Sequence, residues 1–146
     1  MSLQPYNVFG HRHTPEISEH SGAPVIFTPH LGAYDRGMLS TIHVQLKKNW
    51  TAARINELFQ SAYGDEPFIR LLPPGQWPSV AAVRNTNFCD IGWAVDETSH
   101  HLIVVSAIDN LLKGASGQAV QCMNVRLGVA ETAVLQKEVA CPAQLS

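Results

Sequence analysis

The sequence predicts an α+β domain, a mixed and mainly antiparallel sheet with helices packed on one face, and three observations carry that prediction. Two runs, "LSTIHVQLK" and "NFCDIGWAVD", alternate apolar and polar residues with the period of a strand. A third run, "HLIVVSAI", follows the second across the turn-like "ETSH", which reads as an antiparallel hairpin. The stretch "TAARINELFQSAYG" instead repeats its apolar residues at helical spacing. With 146 residues, 45% of them hydrophobic, the chain has material for the core of one domain.

Each element follows in order. "PVIF", from residue 24, reads as a short strand leading into the Pro/Gly-punctuated loop "TPHLGAYDRG". In "LSTIHVQLK", Ile42, Val44 and Leu46 point one way and Thr41, His43 and Gln45 the other, predicting a half-buried strand. The helix of "TAARINELFQSAYG" gathers Ile55, Leu58, Phe59, Ala62 and Tyr63 on one face. Thr51 is its N-cap, and Gly64 is expected to supply a left-handed end. "FIRLL" is a further strand, halted by "PPGQWP" because proline lacks the N–H that ladders and helices use. In the hairpin, Cys89, Ile91, Trp93 and Val95 share a face. "GASGQAVQCMNVRLG" closes the pattern as a helix carrying Val120, Met123 and Leu127, with Ser116 as cap and Gly128 as stop.

Composition excludes several function classes. Ten basic residues against twelve acidic ones, with no basic block, give no electrostatic footprint for nucleic acid. No charged-then-apolar leader and no apolar run of about 18 residues supports a signal peptide or a membrane span, so a soluble cytoplasmic protein is expected. Cys89, Cys122 and Cys141 are widely spaced and form no CxxC pair, which predicts reduced thiols rather than a disulfide framework or zinc knuckle.

The densest chemistry lies in "GHRHTPE", residues 10–16. In an extended segment His11 and His13 would project to the same side, and Pro15 suits the first position of a helix that carries Glu16. Three readings stay open on spacing: a solvated polar arm, a zinc or iron site of imidazoles and a carboxylate, or an imidazole shuttling a proton beside the cationic Arg12. Two further stretches place polar groups beside strands. "VRNTNFCD" offers Arg84, suited to gripping a carboxylate or phosphate in bidentate fashion, with Asn85 and Asn87. "IDNLLKGASGQ" offers Asp109 and Asn110, then Gly114 and Gly117 at a helix start where a backbone can approach a ligand closely.

Four stretches, "YNVFGHRHTPEI", "VIFTPHLGAYDRGMLSTI", "LPPGQWPSVAAVRNTNFCDIGWAV" and "SAIDNLLKGASGQAVQCMN", together resemble the N-acetyl-γ-glutamyl-phosphate reductase family of arginine biosynthesis, from about Tyr6 to Glu131. Members of that family reduce an acyl phosphate to an aldehyde with NADPH through a thioester on a catalytic cysteine. They join a Rossmann domain to an α+β domain like the C-terminal domain of glyceraldehyde-phosphate dehydrogenase. This chain carries neither the family's cysteine nor a GxGxxG turn, so the resemblance is to the second domain alone. On that basis residues 1–5 are linker or expression-derived, residues 6–146 form the catalytic and dimerisation domain, and the helix at 110–130 is expected to pack against the nucleotide-binding domain.

Carried over by resemblance, His11 is the general acid or base. Tyr6, Arg12, His13 and Glu16 line the substrate side, Arg84 binds the substrate's carboxylate or phosphate, and Asn110 and Gly114 face the nicotinamide of NADP. No metal is implied, and none of the three cysteines present matches the catalytic position. The implied partners are N-acetyl-γ-glutamyl phosphate and further copies of the chain, as a homodimer or homotetramer. A non-catalytic oligomerisation module and an aspartate-semialdehyde dehydrogenase-like domain are the alternative readings.

Overall fold

The computed structural model describes residues 2–135. The chain divides into two compact units, Met1–Asp35 and a larger one beginning at Arg36. In the first unit, strand β1 (Gln4–Pro5) pairs antiparallel with β2 (His30–Leu31), and helix α1 (Thr14–Ser21) lies between them in sequence. The strand expected at "PVIF" does not form, and the ladder falls later, at His30–Leu31. Pro24 and Pro29 have no N–H to donate, so the pairing that closes the unit uses the carbonyl of Pro29, which accepts from the N–H of Tyr6 at 3.0 Å.

The second unit is built on a four-stranded sheet of order β3-β6-β5-β4: β3 (Met38–Gln45), β6 (His101–Ile108), β5 (Cys89–Asp96) and β4 (Ile69–Leu71). β5 and β6 form the expected antiparallel hairpin, β3 adds antiparallel to β6 over eight residues, and β4 pairs parallel with β5. The sheet is therefore mixed and mainly antiparallel, as the alternating runs indicate. Helix α2 (Ala52–Tyr63) packs on it through Phe59, whose ring stacks on Trp93 with centroids 4.5 Å apart. A one-turn helix unannounced by the pattern, α3 (Val80–Val83), caps the Arg70–Asp90 end, and its Ala82 carbonyl accepts from Arg70. Successive strand residues face opposite ways, so Gly92 points away from the Trp93 face. An added Cβ there would lie 2.9 Å from the Gln76 carbonyl, so the "PPGQWP" loop lies directly on the backbone.

The core is small: Ile55, Phe68, Leu72, Val83, Ile91, Leu102 and Ala107. β3 departs most from expectation. Predicted half-buried, it is exposed at every position, because it is an edge strand and among the described residues neither of its faces is covered. Caps differ too. Thr51 accepts from the Arg54 N–H as predicted, but Gly64 is right-handed (φ −60°) and simply extends α2 by one bond to the Gln60 carbonyl. Helix α4 (Gly117–Leu127) is entered through a π-helical turn (Leu112–Ser116) rather than a cap, so Ser116 is already helical and its hydroxyl donates to the Leu111 carbonyl. Gly128 stops α4 as predicted, and does so in the left-handed conformation.

Candidate functional site

In the first unit the chain reverses sharply after Tyr6. Asn7 and Phe9 both adopt positive φ, and Gly10 N–H donates to the Asn7 carbonyl. That reversal delivers His11 beside Tyr6, while the β1–β2 pairing returns Phe27 to the same place. His11 is half-buried and sits edge-on to three rings, with centroids at 5.4 Å for Tyr6, 4.8 Å for His13 and 5.1 Å for Phe27. The two histidines do meet, but through a turn: His13 is helical (φ −81°, ψ −12°) as the residue preceding α1. Its backbone N–H donates to His11 Nδ1 at 3.2 Å. While that bond is made Nδ1 bears a lone pair, so the proton of the neutral ring is on Nε2, which is then a donor. Arg12, His13 and Glu16 are exposed around it, with Glu16 in the first turn of α1. Among the described residues no three His, Cys, Asp or Glu side chains converge to hold a metal ion.

The second unit holds a buried ionic cluster. Asp109, fully enclosed, follows β6 directly. Its Oδ1 accepts from Arg36 Nη2 (2.9 Å) and from the N–H groups of Leu111 (2.9 Å) and Leu112 (3.0 Å). Its Oδ2 accepts from the Asn85 N–H (2.8 Å) and lies 2.8 Å from Arg36 Nε. Burial by itself would raise the pKa of this carboxyl, but the Arg36 bond and the three N–H donors outweigh it and hold the group below its ordinary value. Arg36 also reaches Asn85 Oδ1 at 3.0 Å, and Asn110 Oδ1 accepts from Gly37 N–H at 2.6 Å. The cluster thus pins three segments to one another: the entry to β3, the residues after α3 and the exit of β6. Arg84 is exposed on the second of these, next to Asn85, whose φ of 61° turns the chain. Sequence reasoning missed Arg36. Its signal was an Asp-Arg-Gly placed just before one strand while an Asp-Asn follows another, a match that needs the β3–β6 pairing to be seen.

The candidates on the nicotinamide side differ in what they leave available. Gly114 is exposed, with an added Cβ no nearer than 3.4 Å to any neighbour, so the packing of the chain itself does not require its bare backbone. Asn110 has committed its carbonyl oxygen to Gly37. Of the cysteines, Cys89 is half-buried and its pKa is raised by that burial and by Asp90, against a smaller opposing effect of Lys113. Cys122 is exposed and its sulfur accepts from Gln118, while Cys141 lies outside the described residues. A second buried pair, Arg70–Asp90, joins β4 to β5 with Nε–Oδ1 at 2.6 Å. Burial raises the Asp90 carboxyl despite Arg70.

A family model described as the semialdehyde dehydrogenase dimerisation domain matches residues 1–110. The chain belongs to that family. The chain is 54% identical over 135 residues to a protein of Moritella profunda named N-acetyl-gamma-glutamyl-phosphate reductase, covering 92% of the chain and 39% of the relative. A protein of the same name from Aliivibrio fischeri is 57% identical over 128 residues, covering 88% of the chain and 37% of the relative. The chain therefore spans less than two fifths of the length of these curated relatives. Its fold is that of a solved aspartate semialdehyde dehydrogenase II from Vibrio cholerae, with a TM-score of 0.60 at 21% identity over 77% of the chain and 35% of that structure. Among the described residues no helix is long and apolar enough to cross a membrane.

Proposed function

We propose that this chain is the catalytic and dimerisation portion of an NADPH-dependent cytoplasmic reductase that converts N-acetyl-γ-glutamyl phosphate to its semialdehyde. The observation that carries the reading is the identity of 54–57% to relatives of that name along about nine tenths of the chain. The thiol that carries the acyl group and most contacts to NADP would come from outside these 146 residues, which contain no Gly-rich dinucleotide turn. When bound, NADPH would supply the hydride. His11 would handle the proton: with Nδ1 accepting from the His13 N–H, its Nε2–H suits donation to an oxygen that gains negative charge. Arg84 suits the substrate's carboxylate or phosphate, and Tyr6 with the exposed Arg12, His13 and Glu16 suits further substrate contacts. Gly114 fits close approach of a nicotinamide, and Asn110 fits it through its amide nitrogen alone.

In the same reading, the exposed sheet edge is the dimerisation surface. β3 presents Met38, Leu39, Ile42 and Val44, each 38–48% exposed, and an eight-residue edge left unpaired among the described residues demands a cover. Helix α4 would meet the nucleotide-binding domain through Met123, Val125 and Leu127, which are exposed while Gly117 and Asn124 face inward.

The test is a chimera in which this chain replaces its matched region in the Moritella profunda relative. The chimera is expected to reduce the acyl phosphate. His11→Asn should lower kcat by about 10² to 10⁴ with fold and substrate binding retained, the span for a lost general acid or base, whereas His13→Asn should raise KM at least as much as it lowers kcat. A folded chimera that binds NADPH without turnover, or a His11→Asn enzyme with near-normal kcat, would overturn the reading.

A further inference from the structure

We propose that His43 and His101 form a two-imidazole chelate for a divalent transition-metal ion, on the sheet and outside the groups assigned to the reaction. The two residues lie on adjacent strands. His43 of β3 is opposite Ile103, and His101 of β6 is opposite Gln45, which makes the histidines diagonal neighbours on one face. His43 Nδ1 and His101 Nε2 are 3.1 Å apart, with ring centroids at 5.4 Å and planes tilted by 55°. Metal–nitrogen bonds of about 2.0–2.1 Å place two ligating nitrogens roughly 2.9 Å apart at a right angle and about 3.3 Å apart at the tetrahedral angle. The observed separation falls between these limits, so a swivel of each ring turns both lone pairs toward one ion without moving the strands. An eight-residue ladder between β3 and β6 fixes the spacing.

The surroundings suit a cation. Asp96 stands opposite His101 on β5 and in the same face. Its oxygens accept from Thr98 N–H, Ser99 N–H and the Ser99 hydroxyl, so it contributes negative charge beside the pair rather than a ligand. Gln45, directly across from His101, is likewise committed, its amide donating to the carbonyls of Ser99 and His100. The chain thus supplies two imidazoles, and water would complete the shell. Imidazole ligands suit zinc, nickel and copper.

The site is tested on the 146-residue chain with Zn²⁺ and Ni²⁺ salts. In Zn²⁺ titrations followed by imidazole ¹H–¹⁵N NMR, the His43 and His101 signals should shift together and saturate at one ion per chain. By calorimetry, His43→Gln and His101→Gln should each weaken Ni²⁺ binding at least tenfold, and the double variant should be little worse than either, because half a chelate is a lone imidazole. His30→Gln is the control and should leave affinity within twofold. If the His11 and His13 signals move while those of His43 and His101 stay, or if both single variants bind within twofold of the parent, the proposal falls. Should a variant fail to fold, the NMR titration of the unaltered chain decides.

Discussion

Asp109→Asn should destabilise the second unit by about 3 kcal/mol. The asparagine is the same size, so the effect comes from polarity. Its best orientation keeps the carbonyl oxygen at the Oδ1 position, where Arg36 Nη2, Leu111 N–H and Leu112 N–H donate. The NH2 then replaces Oδ2 and faces the Asn85 N–H and Arg36 Nε, donor against donor. A lost hydrogen bond to a charged acceptor costs about 1.5–3 kcal/mol, and a buried donor left unpaired adds to it. The broken ion pair would cost about 3–5 kcal/mol if both partners were enclosed, but Arg36 is 22% exposed and water takes up part of its charge. Roughly 3 kcal/mol remains, and at about 2.1 cal/mol/K per residue of unfolding entropy this lowers Tm by roughly 10–15 °C.

The assay is denaturant and thermal unfolding, with amide exchange at Asn85, Leu111 and Leu112 as the local readout. A double-mutant cycle with Arg36→Ala isolates the pair. The pH arm has a definite sign. Because the folded-state pKa is depressed, the carboxylate's contribution is present above the unfolded value of about 3.9 and is lost as pH falls through the folded value. A variant within 0.5 kcal/mol of the parent, with unchanged exchange at the three amides, would refute the account of how the segments are pinned.

Two other predictions concern the sheet. Ile42→Lys, at 48% exposure on β3, should leave the monomer's stability within about 0.5 kcal/mol and weaken self-association at least tenfold by sedimentation; undiminished assembly would move the dimer surface off this strand. Gly92→Ala should cost about 1–3 kcal/mol in urea unfolding, since the new Cβ meets the Gln76 carbonyl at 2.9 Å and Pro78 Cδ at 3.0 Å; a neutral result would show that the proline loop yields freely.

The sequence by itself determined what depends on near neighbours in the chain. The period-two runs of β5 and β6 and the turn between them specify a hairpin because alternation and turn residues are local properties. The stripe around Ile55 and the cap at Thr51 specify α2 for the same reason, and Pro15 and Gly128 mark a helix start and a helix stop. The residues of the ring cluster at His11 were legible for a similar cause, since Tyr6, His11 and His13 are few enough positions apart to meet in one turn.

Tertiary structure decided the rest. Whether an alternating strand is buried depends on what stands beside it, and β3 is exposed because it took the edge of the sheet. "PVIF" has strand composition, yet a strand needs a partner, and the pairing went to His30–Leu31 instead. Gly64 stayed right-handed because its N–H continues the helical ladder to Gln60, and the turn follows it, with the Glu66 N–H donating to the Tyr63 carbonyl. Arg36 and Asp109 are 73 residues apart, and His43 and His101 are 58 apart; both pairs exist because β3 lies against β6. A long-range ion pair or a cross-strand pair of imidazoles leaves no periodic trace, since it is specified by register between strands and not by spacing along one.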